Sequence, residues 1–343
     1  MSHEEQAGPL RLRAKVEQWT LTTPFRISGY TFERIDVLFV EIEKDGLVGR
    51  GEAAGVYYKG DTPALMLEEV QRCAPVLEAG FTDETLRRLL TSDGARNALD
   101  CAMWDLRAKL TGRPVSELAG LEPLRPLLTT FGCGADSPEE MTKVARSYQG
   151  ARAIKLKLTG DDVDADRVRA VREGCPHVWL AVDANQGFTR QFLEKLMPVL
   201  IDARVTLIEQ PFPVGQENLL DGFQSPIPVA ADESVQHASD IRSLATRFNV
   251  INIKLDKSGG LTEALAMARL AKDFGLDTMV GNMIGTSLAM APAILVGQLC
   301  SVVDLDGPLF LRSDRAGTVR YSDGMVHFPE RSWGDPKELV VHG

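Results

Sequence analysis

Several things are scarce in this sequence of 343 residues, and each scarcity narrows what the chain does. Five cysteines with no CxxC spacing argue against a disulfide framework and for a reducing compartment, so the cytoplasm is the expected location. No apolar run approaches the ~18 residues of a membrane span, and Met1-Ser-His-Glu-Glu5 is the wrong start for a signal peptide. Basic residues are outnumbered, 38 against 48 acidic, and the net charge of −10 speaks against nucleic-acid or anionic-membrane partners. Histidine is sparse: His3, His177, His237, His327 and His342 are scattered, and none fits a Ser-His-Asp arrangement. Gly49-Arg-Gly-Glu-Ala-Ala-Gly55 lacks the GxGxxG spacing of a dinucleotide loop, and no internal repeat is visible. What is present in ordinary measure is a 44% hydrophobic content beside 25% charged residues, over a length that suits a large domain with a smaller partner.

The chain is organised around three carboxylates. Trp179 to Val182 climbs to Asp183-Ala-Asn185, Val205 to Ile208 to Glu209-Gln-Pro211, and Pro228 to Ala231 to Asp232-Glu-Ser234. Short aliphatic runs bounded by turn residues read as buried strands, and the stretches between them have room for a helix and two loops. The same step, roughly 22 to 26 residues, extends upstream to Ala153–Leu158 with Lys155 and Lys157, and downstream to Val250–Ile253 with Lys254. Thr278–Val280 then reaches Gly281-Asn282-Met283, and Ser301–Val303 reaches Asp304-Leu-Asp306. With Leu127–Phe131 as the first, eight strands are expected. Gly307-Pro308 follows the eighth with no long helix behind it. The class is therefore α/β, a modified TIM barrel of (β/α)7β type spanning residues 123–308, whose strand ends converge on one rim.

Ahead of it, Leu12–Thr20, Arg34–Lys44 and Val48–Glu52 alternate apolar with polar around an Asp45-Gly46 turn, which predicts an antiparallel meander. Thr23–Phe32 and Gly55–Thr62 read as loops, and the first ten or so residues as a polar tail. Helices are expected over Leu65–Ala79, Asp83–Leu90 and Ala95–Leu110, the last capped by Ser92 or Asp93 and carrying a small-residue face at Ala98 and Ala102. These elements make an α+β capping domain over residues 1–122, to which a C-terminal tail, residues 309–343, is expected to return.

Three carboxylates on consecutive units of one barrel repel each other unless a cation lies between them. All-oxygen donors favour Mg²⁺, with Mn²⁺ as the alternative, over zinc. Alternation points Lys155 and Lys157 to one side, and that side cannot be the apolar face under the helices. Lys254 lies across the barrel from Lys157, so the two can flank a ligand held beside the carboxylates. Lys257 is expected to be a solvated loop or helix-start residue. A divalent ion chelating a substrate carboxylate stabilises the dianion formed when an α-proton leaves, and a neutral lysine is a suitable base.

Ile154-Lys-Leu-Lys157, Asp183-Ala-Asn, Glu209-Gln-Pro, Asp232-Glu-Ser and Asn252-Ile-Lys-Leu-Asp-Lys-Ser-Gly-Gly260 together resemble the motif series of the muconate-lactonizing subgroup of the enolase superfamily. Asn282-Met-Ile284 and Asp304-Leu-Asp306 resemble the dipeptide epimerases of that subgroup, of the L-Ala-D/L-Glu epimerase type, and Asn97–Asp105 resembles their capping-domain helix. The resemblance implies Asp183, Glu209 and Asp232 as Mg²⁺ ligands and Lys157 and Lys254 as opposed acid/base groups. It implies that Lys155 contacts the substrate carboxylate or tunes Lys157, that Asn282, Met283 and Ile284 line the substrate site, and that Asp304 and Asp306 hold a dipeptide's α-ammonium. Arg26, Tyr30 and Tyr57 are candidates for a specificity loop. The implied reaction is 1,1-proton transfer at the α-carbon of the C-terminal residue of a dipeptide, in a homo-oligomeric enzyme. Two departures stand out: Gly132 where such proteins often carry threonine, and arginines (Arg26, Arg34) only at the edges of the first lid loop, where glutamate-specific members place one within it. N-succinylamino-acid racemases and o-succinylbenzoate synthases share the lysines and carboxylates and are the alternative. A metal-binding scaffold without activity would have lost one of the lysines, and mandelate racemases carry histidine where Lys254 stands.

Overall fold

A computed structural model describes residues 9–121, 123–329 and 331–337. The expected polar tail lies largely outside them. Three antiparallel strands open the chain: β1 Arg11–Ile27, β2 Tyr30–Lys44 and β3 Leu47–Ala53, in that order. Asp45 and Gly46 turn β2 into β3 with φ of 54° and 78°, the left-handed pair that a two-residue hairpin requires. The segment Thr23–Phe32 is not a loop. After an irregularity between Thr20 and Phe25, pairing resumes at Phe25 with Phe32 and Ile27 with Tyr30, so a hairpin arm extends the sheet around Ser28-Gly29. Its threonines and Pro24 suggest a coil, but Phe25 and Ile27 on one strand, with Phe32 opposite Phe25 on the other, supply apolar side chains that keep the arm paired.

Helices α1 Pro63–Glu78, α2 Asp83–Leu89 and α3 Asp93–Thr111 begin on the capping hydroxyls of Thr62, Thr82 and Ser92. The small face of α3 meets glycines of β3. A Cβ on Gly49 would stand 2.1 Å from Ala102 O, and one on Gly51 1.9 Å from Ala98 O, so helix and strand backbones touch only because both glycines lack one. Around that contact Leu38, Val40, Ile42, Met66, Val70, Leu99 and Leu106 form a core separate from that of the barrel.

The barrel sheet runs, each strand parallel to the next, through β5 Phe131–Cys133, β6 Ala153–Lys157, β7 Trp179–Asp183, β8 Leu207–Glu209, β9 Val229–Ala231, β10 Val250–Ile253, β11 Asp277–Val280 and β12 Val302–Val303. Thr130 N–H donates to Val303 O at 2.9 Å and brings the last strand to the first. Two expectations need correction. The apolar pair Leu127–Leu128 is not the start of the first barrel strand. It forms a separate strand, β4, paired antiparallel with the tail hairpin of β13 Arg320–Ser322 and β14 Met325–His327. Between Glu209 and Asp232 there is no α-helix, only a 3-10 turn at Glu217–Leu220, because Pro211, Pro213, Gly215, Gly222, Pro226 and Pro228 break any helical run.

Beyond the barrel, Leu311 bridges to Leu21 of β1 and Arg315 pairs with Glu17 and buried Glu52, whose carboxylate also takes the Thr286 N–H and hydroxyl. Trp333 donates to Cys101 O and Gly334 N–H to Asp105. The tail thus touches both units, its hairpin on β4 and its flanks on the N-terminal sheet and α3. At the mouth, Gly55 N–H donates to the buried Asp256 carboxylate at 2.9 Å, fixing the turn 57–59 above the strand ends.

Candidate active site

Register places Lys157 of β6, Asp183 of β7 and Glu209 of β8 side by side at the rim, and Asp232 follows just beyond the end of β9. All three carboxylates are buried, each offering an oxygen within 4.8 Å of the others. Burial, and after it the neighbouring Asp183, pushes Glu209 up to about 8. Oxygen donors this close, with no nitrogen or sulfur among them, fit a hard divalent cation, whose charge would favour the ionised form of each.

The surroundings hold these ligand oxygens in place. Asn252 Nδ2 donates to Glu209 at 2.8 Å, and the Asn185 N–H to Asp183 at 2.8 Å from a left-handed backbone of φ 41°. Gln210, also left-handed at φ 34° and buried, accepts from the N–H groups of Asp232 and Ser234 and donates to Phe212 O and Ser234 Oγ. That one amide ties the end of β8 to the end of β9. Lys257 does not conform to expectation. It is 1% exposed and donates to Asp232 Oδ1 at 2.6 Å and to Asn252 O at 3.0 Å. The short helical turn Leu255–Ser258 folds its side chain inward, a placement that no strand alternation announces; its position three residues past Lys254, one turn of helix, is the only signal. Lys257→Met should leave Asp232 short of one buried partner and cost roughly 3 to 5 kcal/mol of unfolding free energy in urea titrations. A loss below 1 kcal/mol would show the pair to be dispensable.

Lys157 and Lys254 stand on β6 and just past β10, four strands apart and so on opposite sides of the barrel. Each leans on a carboxylate, Lys157 on Asp183 at 2.5 Å and Lys254 on Asp232 at 2.7 Å. Burial alone would lower Lys254, but Asp232 and Glu209 outweigh it and hold the ammonium well above the ordinary lysine range. Lys155 points the same way as Lys157 but lies deeper, bonded to Asp304 and to Glu209 at 3.2 Å. Burial would favour its neutral amine; Asp304, Glu209 and Asp183 reverse that, so Lys155 is a fixed positive charge.

Asp304 is occupied on both oxygens, by Lys155 and by the Thr130 hydroxyl. Asp306 accepts the Gly132 N–H at 2.6 Å, and burial followed by the charge of Asp304 pushes it up to about 7. A Cβ on residue 132 would sit 3.1 Å from that Asp306 oxygen, a tight contact that the carboxylate would have to yield to.

A cavity of about 290 Å³ opens between capping unit and barrel, walled by Lys157, Asn185 and Lys254 on one side and by Asn282, Met283 and Ile284 on another. Tyr57 and the arm residues Phe25, Ile27 and Phe32 roof it, and Arg34 reaches it. Of the specificity candidates, Tyr57 lines this cavity. Tyr30 packs on Tyr57 at a ring-centroid distance of 4.6 Å and is 45% exposed. Arg26 lies elsewhere, on an outer cleft with Tyr30, Asp136 and Arg167. Lys155, Asp304 and Asp306 lie outside the cavity wall, although within the barrel mouth. Among the described residues no helix is long and apolar enough to cross a membrane, and the five cysteines are unpaired.

Residues 11–120 match the N-terminal domain of the mandelate racemase / muconate lactonizing enzyme family, and residues 139–332 match the enolase C-terminal domain-like family. The chain is 35% identical over 313 residues to the L-Ala-D/L-Glu epimerase of Escherichia coli (strain K12), covering 91% of this chain and 97% of that protein. Its fold superposes with a TM-score of 0.90 on an enolase family member from Agrobacterium tumefaciens with homology to dipeptide epimerases, solved with sodium and L-Ala-L-Glu, at 37% identity over 94% of this chain and 98% of that one. A dipeptide epimerase from Methylococcus capsulatus, solved with Mg and L-Arg-D-Lys, gives a TM-score of 0.86 at 32% identity over 93% and 97%.

Proposed function

Because this chain belongs to the mandelate racemase / muconate lactonizing enzyme family, within the enolase superfamily, we propose that it is a Mg²⁺-dependent dipeptide epimerase. The observation that carries the reading is the pair Lys157 and Lys254, on opposite sides of the barrel, both on the wall of one cavity and both beside a cluster of three buried carboxylates. A substrate whose α-carbon lies between the lysines presents one face to each. One lysine takes the α-proton as the free amine, and the other, as ammonium, returns a proton to the opposite face, inverting the centre. The free amine would be open to Lys254 once a cation offsets the Asp232 and Glu209 charges that otherwise hold it protonated. Asp183, Glu209 and Asp232 would hold a divalent cation, which would supply positive charge against the negative charge that develops on the substrate carboxylate as the α-proton leaves. Lys155 adds fixed positive charge beneath the same carboxylate, and the roof of Tyr57, Phe32 and Ile27 keeps water from the carbanionic centre. The unpaired thiols support action in the cytoplasm.

Asp306 separates this reading from that of an N-succinylamino-acid racemase. It is a buried carboxyl beside a second one, and an α-ammonium placed there would be stabilised while a succinyl carboxylate would be repelled. Asp306→Asn is therefore expected to raise KM for a free dipeptide by the equivalent of about 2 to 5 kcal/mol, and to change KM for the N-succinyl analogue much less. Steady-state kinetics on both substrates decide between the readings. An equal effect on both removes the ground for preferring dipeptides.

A further inference from the structure

Among the described residues, four buried side-chain atoms have no hydrogen-bond partner: Trp19 Nε1, Asn185 Oδ1, Glu233 Oε2 and Asn252 Oδ1. Trp19 belongs to β1 of the capping sheet. The other three atoms are acceptors, and each is carried by a residue that adjoins one of the clustered carboxylates. The Asn185 N–H donates to Asp183, Asn252 Nδ2 donates to Glu209, and Glu233 follows Asp232 in the chain. Asn252 Oδ1 backs onto Gly281, where a Cβ would stand 2.7 Å from it. Asn185 and Glu233 instead meet each other: Asn185 Nδ2 donates to Glu233 Oε1 at 3.4 Å, a link from the end of β7 to the end of β9 with Glu209 of β8 between. Glu233 is only 4% exposed, and the donors near it are engaged elsewhere. Lys254 and Lys257 both bond Asp232, and Gln236 Nε2 serves the Glu233 backbone carbonyl and the Tyr58 hydroxyl. A buried carboxylate oxygen with no donor, next to three further carboxylates, is costly unless a donor comes from outside the chain.

We propose that Glu233 Oε2 and Asn185 Oδ1 accept hydrogen bonds from water carried by the cation, and that this pair thereby favours Mg²⁺ over Ca²⁺. Glu233 stands outside the group of three carboxylates whose oxygens lie within 4.8 Å of one another, so it is placed to bond what the cation carries rather than the cation itself. Mg²⁺ dehydrates reluctantly and keeps several waters, whereas Ca²⁺ readily takes protein oxygens instead, so acceptors set one layer back suit the smaller ion. A cationic group of the substrate would satisfy the same acceptors, but of the two residues only Asn185 is on the cavity wall. The assignment rests on the reading of Asp183, Glu209 and Asp232 as a divalent-cation site.

The test titrates Mg²⁺ and Ca²⁺ by calorimetry, without substrate, into the parent, Glu233→Gln and Glu233→Leu; glutamine keeps one acceptor oxygen and leucine none. Mg²⁺ should bind about tenfold more weakly to Glu233→Gln and about a hundredfold more weakly to Glu233→Leu, the span over which partners behind the ligands act. Ca²⁺ should lose less, so the Mg²⁺-to-Ca²⁺ affinity ratio should fall in both variants. With Mn²⁺ as the probe, water-proton relaxation should show the same number of coordinated waters in all three proteins and faster exchange of that water in the variants. Urea titration of the metal-free proteins controls for the fold: Glu233→Leu removes a buried oxygen without a donor and should unfold no more easily than the parent. Glu233→Gln, nearly identical in shape, supplies the same comparison independently of that result. Unchanged Mg²⁺ affinity in both variants overturns the assignment, and so does an equal loss for Mg²⁺ and Ca²⁺, which would make Glu233 a mere negative charge. One more coordinated water on Mn²⁺ in Glu233→Leu also overturns it, since Glu233 would then be a direct ligand. A parent that binds no divalent cation brings down the metal site itself and this assignment with it, whereas the other outcomes leave the three-carboxylate site standing.

Discussion

Replacing either Lys157 or Lys254 by alanine is expected to abolish epimerisation in both directions while sparing proton exchange on a single epimer. The two lysine side chains reach the cavity from β6 and from the end of β10, so each can serve only the face of the α-carbon turned toward it. With one lysine gone, one epimer still meets a base that removes its proton and returns a deuteron to the same face. The other epimer meets none, and inversion lacks a donor in either direction. Removing a general base costs on the order of 10² to 10⁴ in rate, and inversion, which needs both groups, should fall at least that far. Lys157→Ala should exchange only the epimer served by Lys254, and Lys254→Ala only the reverse. NMR of both epimers with both variants in D₂O reads the pattern directly. Comparable exchange of both epimers by either variant would mean that one base serves both faces, and the opposed-lysine reading would fall.

The second large effect concerns the carboxylates. Asp183→Asn or Glu209→Gln should weaken Mg²⁺ binding, measured by calorimetry, at least about a hundredfold, since groups one layer further out already cost 10- to 100-fold. Turnover should fall with it, and excess EDTA should silence the parent. A control separates lost metal from lost fold. The folded state holds the Glu209 carboxyl at about 8, above its ordinary value, so ionising it costs stability as pH rises from the usual carboxylate range toward 8. Glutamine carries no such cost. Metal-free Glu209→Gln should therefore unfold at pH 7 to 8 no more easily than the metal-free parent, even though its Mg²⁺ affinity is gone. Full activity in EDTA, or unchanged Mg²⁺ affinity in both variants, would refute the metal reading.

Much of this arrangement was legible in the residues. A strand exposes alternate side chains, and a barrel returns every strand to the same rim, so Lys155, Lys157, Asp183, Glu209, Asp232, Lys254, Asp304 and Asp306 could be assigned to one mouth from spacing alone. Helix caps at Thr62, Thr82 and Ser92 and the Asp45-Gly46 turn are likewise decided by a handful of neighbours. Other features were not legible. Leu127–Leu128 looks like the barrel's first strand because it is the stronger apolar run, yet the tail hairpin, nearly 200 residues later in the chain, competes for it. Thr23–Phe32 looks like a loop because its composition is that of one, and only pairing across the arm makes it sheet.

The sequence by itself determined the succession of strands and helices, the end of the barrel at which polar groups collect, and the kind of donor collected there. All of these follow from periods of two and 3.6 residues and from turn chemistry, which act over a few bonds of backbone. The tertiary structure decided which charges meet. Lys257 turns inward to Asp232, the Gln210 amide joins two strand ends, Lys155 pairs with Asp304, and Arg34 rather than Arg26 reaches the cavity. Each of those outcomes is set by distances between side chains on different elements. A shift of an ångström or two between packed elements changes a buried ion pair by several kcal/mol while leaving every local period as it was.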